Sequence, residues 1–295
     1  MEQRILVLGG ATATGKTRLA VELAKRFGAE IVGADSRQIY RGMPIGTAAP
    51  SPGQLAEVRH HLIGFLDPQK RYSAALFMAD AKAAIQDIHA REKRAIVVGG
   101  TGFYIRALTG GIELAQKPDP DLRERLAREG LLHDSAFLHG WLATRDPARA
   151  AALAVGDTYR VLRGLEVALA RAPERRGVSQ IPRGDGMFFK VVLDVPLAEI
   201  DVRIERRTDV MLDAGLVEEA ERIGADAVAA NAVGYPQAFA FLRGWTTYNE
   251  LHTSLIRATR RYARRQRAWF RSEPDVLWAR PDELEYMCIE RLGWK

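Results

Sequence analysis

Residues 4–27 constrain the fold more than any other stretch. Ile5-Leu6-Val7-Leu8 is a short apolar run of residues that favour strands. Gly9-Gly10-Ala11-Thr12-Ala13-Thr14-Gly15-Lys16-Thr17 follows at once. Leu19, Ala20, Leu23, Ala24 and Phe27 then recur at helical spacing, and Gly28 stands where a helix would stop. Gly10 to Thr17 therefore reads G-x-x-x-x-G-K-T, a P-loop in its required setting of strand, loop and helix.

The chemistry of that loop is general. Gly10 and Gly15 let the backbone turn with its N–H groups inward, and the following helix adds its positive end, so Ala11, Thr12, Ala13 and Thr14 line a cradle for phosphate oxygens. Lys16 supplies a mobile charge to the outer phosphates, and the Thr17 hydroxyl is placed to bind Mg²⁺. The motif does not say whose phosphate is bound or what becomes of it.

Further along, Glu30-Ile31-Val32-Gly33 reads as a second buried strand that delivers Asp35 to its C-terminal end, where open α/β sheets bind ligands. Asp35-Ser36-Arg37-Gln38 leads into a Gly- and Pro-rich loop, Gly42 to Pro50. His60-His61 reads as solvated or capping, since no third metal ligand sits at suitable spacing. Ser73 caps a helix reaching about His89. Ala95 to Val98 is a third strand, and its glycine turn aims Thr101 at the same edge as Lys16 and Asp35. A plain helix cap is the alternative reading of that threonine.

From 113 to 183 no buried strand run appears. The segment reads as a helical insertion, with Asp157 to Ala170 its clearest helix and 172–186 a mobile loop. Residues 1–112 and 184–295 form the core. Phe188 to Val195 returns to strand character, Asn231 to Gln237 is a turn, and a long C-terminal helix ends the pattern. The fold class is α/β, a P-loop-like parallel sheet flanked by helices with a helical insertion.

Charge adds a partner. Net charge is +6, from 43 Lys+Arg against 37 Asp+Glu. Residues 257–271 hold seven arginines and no acid, so the excess lies in one segment interleaved with Tyr262, Trp269 and Phe270. That pattern suits a polyanion such as a nucleic-acid backbone. The single cysteine, Cys288, excludes a disulfide framework and a cysteine zinc finger and fits the cytoplasm. No apolar run is long enough for a signal peptide or a membrane span.

A phosphate cradle beside a carboxylate serves two chemistries. In a kinase Asp35 orients a hydroxyl that attacks phosphorus. In an alkyl transferase diphosphate leaves carbon while Asp35 takes a proton from an attacking amine. The arginine helix favours the second.

Seven stretches taken together resemble one family. They are Gly10–Thr17, Asp35-Ser-Arg-Gln-Ile-Tyr40, Gly42–Pro50, Val98-Gly-Gly-Thr101, Tyr159-Arg-Val-Leu-Arg163, Val233-Gly-Tyr235 and Arg264-Arg-Gln-Arg-Ala-Trp-Phe-Arg271. In order and over nearly the whole chain they resemble the bacterial tRNA dimethylallyltransferases. The resemblance implies transfer of a dimethylallyl group from its diphosphate to N6 of the adenine 3′ of the tRNA anticodon, with Mg²⁺, by a cytoplasmic enzyme expected to be monomeric. It implies Asp35 as general base, Thr101 at the reaction centre, Arg207 on the diphosphate held by Gly10–Thr17, and Thr17 on the metal. It implies tRNA contacts from Asp35, Ser36, Arg37, Gln38, Thr101, Arg123, Tyr159, Arg160, Arg163, Gly234, Tyr235, Arg264, Arg265, Gln266, Trp269 and Arg271. The insertion would bind tRNA. The chain departs from the family at Ala11, Asn231 and Pro236, where Pro, Arg and Arg are usual. The competing readings are an adenylate isopentenyltransferase acting on free nucleotide and a P-loop small-molecule kinase.

Overall fold

The structure is a computed structural model; it describes residues 4–110, 119–170 and 187–295. Two compact units divide the chain: Met1–Ile112 with Pro182–Lys295, and Glu113–Ile181 between them.

In chain order the first unit runs β1 Ile5–Gly9, α1 Lys16–Phe27, β2 Ala29–Gly33, α2 Pro52–Glu57, β3 His60–His61, α3 Ala74–Ala90, β4 Arg94–Gly99 and α4 Gly102–Leu108. The second unit holds α5 Pro120–Leu132, α6 Ser135–Arg145, α7 Pro147–Ala151 and α8 Thr158–Ala170. The first unit then resumes with β5 Phe188–Leu193, α9 Leu197–Asp213, α10 Leu216–Ile223, α11 Tyr235–Leu242, α12 Tyr248–Arg271, β6 Leu277–Ala279 and α13 Leu284–Leu292.

Among the described residues six strands form one parallel sheet, in the order β3-β2-β4-β1-β5-β6. Helices cover both faces, which is why β1 and most of β4 read as unbroken apolar runs and β2 breaks its run only at Glu30. β1 lies between β4 and β5, with Leu6 opposite Ile96 and Val7 opposite Lys190. That order brings the C-terminal ends of β1, β2 and β4 side by side. The P-loop, Asp35 and Thr101 follow these ends. The expected parallel sheet flanked by helices is present.

Ser73 caps α3, its hydroxyl accepting from the Leu76 N–H, and Phe77, Ala81, Ile85 and Ile88 turn inward. In the insertion Leu126, Leu138, Leu142, Val161 and Leu165 build a separate core. No helix among the described residues is long and apolar enough to cross a membrane.

Three expectations are corrected, and a fourth falls outside the described residues. His60-His61 is a short strand pairing β2, and His61 Nε2 lies 2.7 Å from the part-buried Glu30 carboxylate instead of in solvent. The arginine helix is not the last element. β6 pairs with β5, and α13 follows it and joins the core with Trp294, whose indole meets Phe27 edge-on at 5.5 Å. Residues 231–237 are not a plain turn. A 3₁₀ turn ends at Asn231, and α11 starts at Tyr235 with Pro236 in its first turn, where a missing N–H costs nothing. The loop expected at 172–186 lies within 171–186, outside the described residues.

Candidate active site

The P-loop backbone alternates hands. Ala13 has φ 64° and Gly15 φ 88°, and this reversal turns successive N–H groups to one side. The left-handed conformation at Ala13 costs about 1–2 kcal/mol and must be held by its surroundings. They are visible: the Thr14 hydroxyl donates to Ala11 O at 2.8 Å, and Arg203 donates to Ala13 O at 3.4 Å and Thr14 O at 3.1 Å. Arg203 itself pairs with Glu199 one helical turn earlier.

A cavity of about 720 Å³ opens above this loop. Thr12, Lys16, Thr17, Asp35–Gln38, Arg203, Arg207, Asn231, Tyr262 and Arg265 line it. Lys16 Nζ donates to Ala11 O at 3.3 Å. Burial pushes its ammonium down from the usual lysine range to about 8; Asp35 opposes that shift and Arg207 adds to it. Arg207 donates to the Thr12 hydroxyl at 3.0 Å. Burial lowers its guanidinium too, with Asp35 opposing. Asp35 is thus the anion facing two half-buried cations. Its Oδ1 accepts from the Arg37 N–H at 2.9 Å, which fixes the turn. Burial and then Asp35 raise the Tyr262 phenol, so the cavity wall there is a neutral donor.

Thr101 stands behind this group and does not line the cavity. It occupies the first position before α4, yet its hydroxyl makes no bond to that helix. Its Oγ1 accepts from the Ser36 N–H at 2.9 Å and lies 3.2 Å from the Ser36 hydroxyl. Thr101 therefore ties the β4 turn to the Asp35 turn, which the cap reading missed.

The other expected site residues divide. Arg265 and Ser36–Gln38 line the cavity, and Arg264 and Arg271 are exposed on α12. Gln38 gives its amide to Thr47 O at 3.2 Å and Ala48 O at 3.0 Å, which shapes the loop after it. Trp269 is half-buried, with Arg106 4.4 Å over its ring. In the insertion, Arg123 and Arg163 both pair with the buried Glu166, at 3.2 and 2.5 Å; Tyr159 is exposed, and Arg160 pairs with Asp157.

Two calls fail. Gln266 is 6% exposed, and both ends of its amide are bonded inside the protein, to the Thr12 N–H and Gly100 O. Tyr235 is fully buried and donates to Glu219 at 2.8 Å. Neither side chain can reach a partner in solution. Gly234 lies beside Tyr235, buried at φ 108°.

The single-sign character of 257–271 is also reduced. Acids from distant positions neutralise three of its arginines: Arg260 pairs with Asp201 and Glu205, Arg264 with Asp201, and Arg267 with Asp194. Arg257, Arg261, Arg265 and Arg271 form no ion pair with a described residue and are exposed.

Sequence reasoning missed Arg203 and Glu219. The Glu219 carboxylate is completely buried and accepts from the Ile45 and Gly46 N–H groups at 3.0 and 2.7 Å, so it pins the 42–50 loop. Arg203, one helical turn before Arg207, was a findable signal. Glu219 was not.

A Mg²⁺ ion fits the donors present. Such ions are held by one or two protein oxygens together with substrate phosphates and water. Among the described residues no three His, Cys, Asp or Glu gather to hold a metal unaided. Thr17 and Asp35 both face the cavity and supply oxygens of the required kind.

The family model described as IPP transferase matches residues 38–273. A tRNA dimethylallyltransferase of Anaeromyxobacter dehalogenans is 43% identical over 94% of this chain and 95% of its own length. The solved tRNA isopentenylpyrophosphate transferase of Bacillus halodurans is 32% identical, covers 99% of this chain and 97% of its own, and superposes with a TM-score of 0.72. A eukaryotic dimethylallyltransferase structure, at 23% identity, shares the fold, with a TM-score of 0.81 over 97% of this chain and 76% of its own. Neither the free-nucleotide nor the kinase reading gains support from these relatives. The chain belongs to the IPP transferase family, the tRNA dimethylallyltransferases, and is a prenyltransferase.

Proposed function

We propose that this enzyme transfers a dimethylallyl group from dimethylallyl diphosphate to N6 of the adenine 3′-adjacent to the tRNA anticodon. The observation that carries the reading is one carboxylate, Asp35, facing the half-buried cations Lys16 and Arg207 across a cavity above a phosphate cradle. Gly10–Thr17 hold the diphosphate, and Arg207 and Lys16 stabilise the charge that grows on it as it departs. The N6–C1 bond forms, the C1–O bond to diphosphate breaks, and Asp35 takes the N6 proton. Thr101 holds the Asp35 turn in place through Ser36. Thr17 would hold a Mg²⁺ ion, which would supply Lewis-acid neutralisation of the diphosphate. The target adenine leaves its stack to enter the cavity, as chemistry on a base requires. The outer arginines of α12 hold the anticodon arm, and the insertion by itself presents Tyr159 and Arg160 to tRNA.

The test is incubation of unmodified tRNA with labelled dimethylallyl diphosphate and Mg²⁺, followed by nucleoside analysis. Labelled N6-prenyladenosine is expected. Label appearing only in free nucleotide would defeat the reading.

Two further results are expected. The double variant Arg264→Ala, Arg265→Ala weakens tRNA binding and lowers the slope of log K against log salt by about 1–2, in filter binding. The smaller figure corresponds to Arg264 being already half-neutralised by Asp201. Donor affinity depends on pH through Lys16. The free enzyme loses this proton near pH 8, and bound phosphate favours the charged form. Affinity is therefore full below that pH and falls by up to about tenfold per unit above it. Calorimetry in buffers of different ionisation enthalpy should show proton uptake on binding above pH 8. Replacing Lys16 by Met removes this dependence.

A further inference from the structure

Among the side chains of α12, Gln266 alone joins separate parts of the site by hydrogen bonds at both ends. Its Oε1 accepts from the Thr12 N–H at 2.8 Å, and its Nε2 donates to Gly100 O at 2.9 Å. Thr12 belongs to the phosphate cradle, and Gly100 to the turn that carries Thr101. The chain of bonds then continues, because the Thr12 hydroxyl accepts from Arg207 at 3.0 Å. The packing around it leaves no slack. A Cβ on Gly100 would stand 2.3 Å from Gln266 Nε2, and one on Gly9 would stand 2.9 Å from the Phe270 ring one turn along α12. Real Cβ contacts are not that short, so the helix approaches this closely only over bare backbone.

We infer that Gln266 is a positioning residue for the transfer reaction, acting through Thr12 to hold Arg207 in register with the diphosphate cradle. The physical argument has two steps. An N–H pointing into a phosphate nest is ordinarily free to take a phosphate oxygen. The Thr12 N–H is committed instead to a buried amide, which fixes the Thr12 peptide plane and with it the hydroxyl that receives Arg207. An amide is suited to this task because it offers an acceptor and a donor on one planar group without titrating, matched here to an N–H on one loop and a carbonyl on another. A misplacement of the charge-stabilising group by 1 Å costs about 10²-fold in rate.

This inference rests on the proposed prenyl transfer, and its test separates the two. Label transfer by the wild-type enzyme decides the reaction. A double-mutant cycle of Gln266→Leu with Arg207→Ala, each followed by kcat and KM for the donor, decides the role. Gln266→Leu is expected to lower kcat/KM for the donor about 10²-fold. In the Arg207→Ala background the same change should cost less than about twofold, because the residue it positions is gone. Equal losses in both backgrounds would overturn the inference and leave Gln266 as core packing, as would an unchanged kcat/KM in the single variant.

Gln266→Glu guards against failure of the leucine variant to fold. A protonated carboxyl accepts from the Thr12 N–H and donates to Gly100 O, reproducing both bonds; an ionised one meets the Gly100 carbonyl with a second acceptor. The ratio of variant to wild-type kcat/KM should approach one at acidic pH and fall as pH rises. A ratio constant with pH would contradict the proposal.

Discussion

Asp35→Asn is expected to turn over roughly 10²–10⁴-fold more slowly than the native enzyme while retaining its affinity for tRNA. Asparagine keeps an oxygen for the Arg37 N–H, so the turn that Asp35 makes at 2.9 Å is preserved. What disappears is the base. The change also removes the anion that faces Lys16 and Arg207 and raises the Lys16 ammonium. Lys16 should therefore lose its proton below pH 8 in the variant, and the pH limit on donor binding should move in the acid direction. Single-turnover rates with labelled donor, with filter binding beside them, separate the two effects. Turnover at the native rate would remove Asp35 from the chemistry, and lost tRNA binding would make it a recognition group instead.

Gly99→Ala is expected to have the largest effect on stability. Gly99 ends β4, opposite Gly9 of β1, where the Ala34 backbone crosses it. An added Cβ would lie 2.0 Å from Ala34 O and 2.3 Å from Ala34 C. Those atoms are main chain, held on the same strand end by the Ala34 N–H bond to Val98 O at 2.7 Å. They cannot swing aside as a side chain would. Separating the two strand ends should destabilise the fold by on the order of 3 kcal/mol. The same movement would carry Asp35, next in the chain, away from Lys16. Thermal unfolding is expected to show the loss, and donor KM should rise in whatever fraction remains folded. A variant with native stability would mean that the strand ends part more easily than their hydrogen bonds imply.

Local pattern carried much of this architecture. Buried parallel strands need only a run such as Ile5–Leu8 or Ala95–Val98, and a P-loop is written in eight consecutive residues. Asp35, Lys16 and Thr17 converge because the strand order forces it, and Arg207 joins them from the middle of α9. Elements too short to hold a period escaped: β3 has two residues and β6 three. Bonds between distant positions escaped altogether. Gln266 sits in an arginine-rich stretch and reads as part of a charged surface, but its partners lie 254 and 166 positions away. The acids that neutralise Arg260, Arg264 and Arg267 come from Asp194, Asp201 and Glu205, so a count within 257–271 could not see them. Tyr235 reads as an exposed turn residue beside a glycine and a proline. Its burial depends on Glu219, which offers no local cue.

That buried glutamate bears on how the enzyme meets its large substrate. Glu219 fastens Ile45 and Gly46, Gln38 fastens Thr47 and Ala48, and the Tyr235 ring leaves no room for a side chain at 46. One wall of the cavity is thus preset before any polynucleotide arrives. At that wall the disorder lost on association falls on the nucleic acid, whose loop must unstack to fit it.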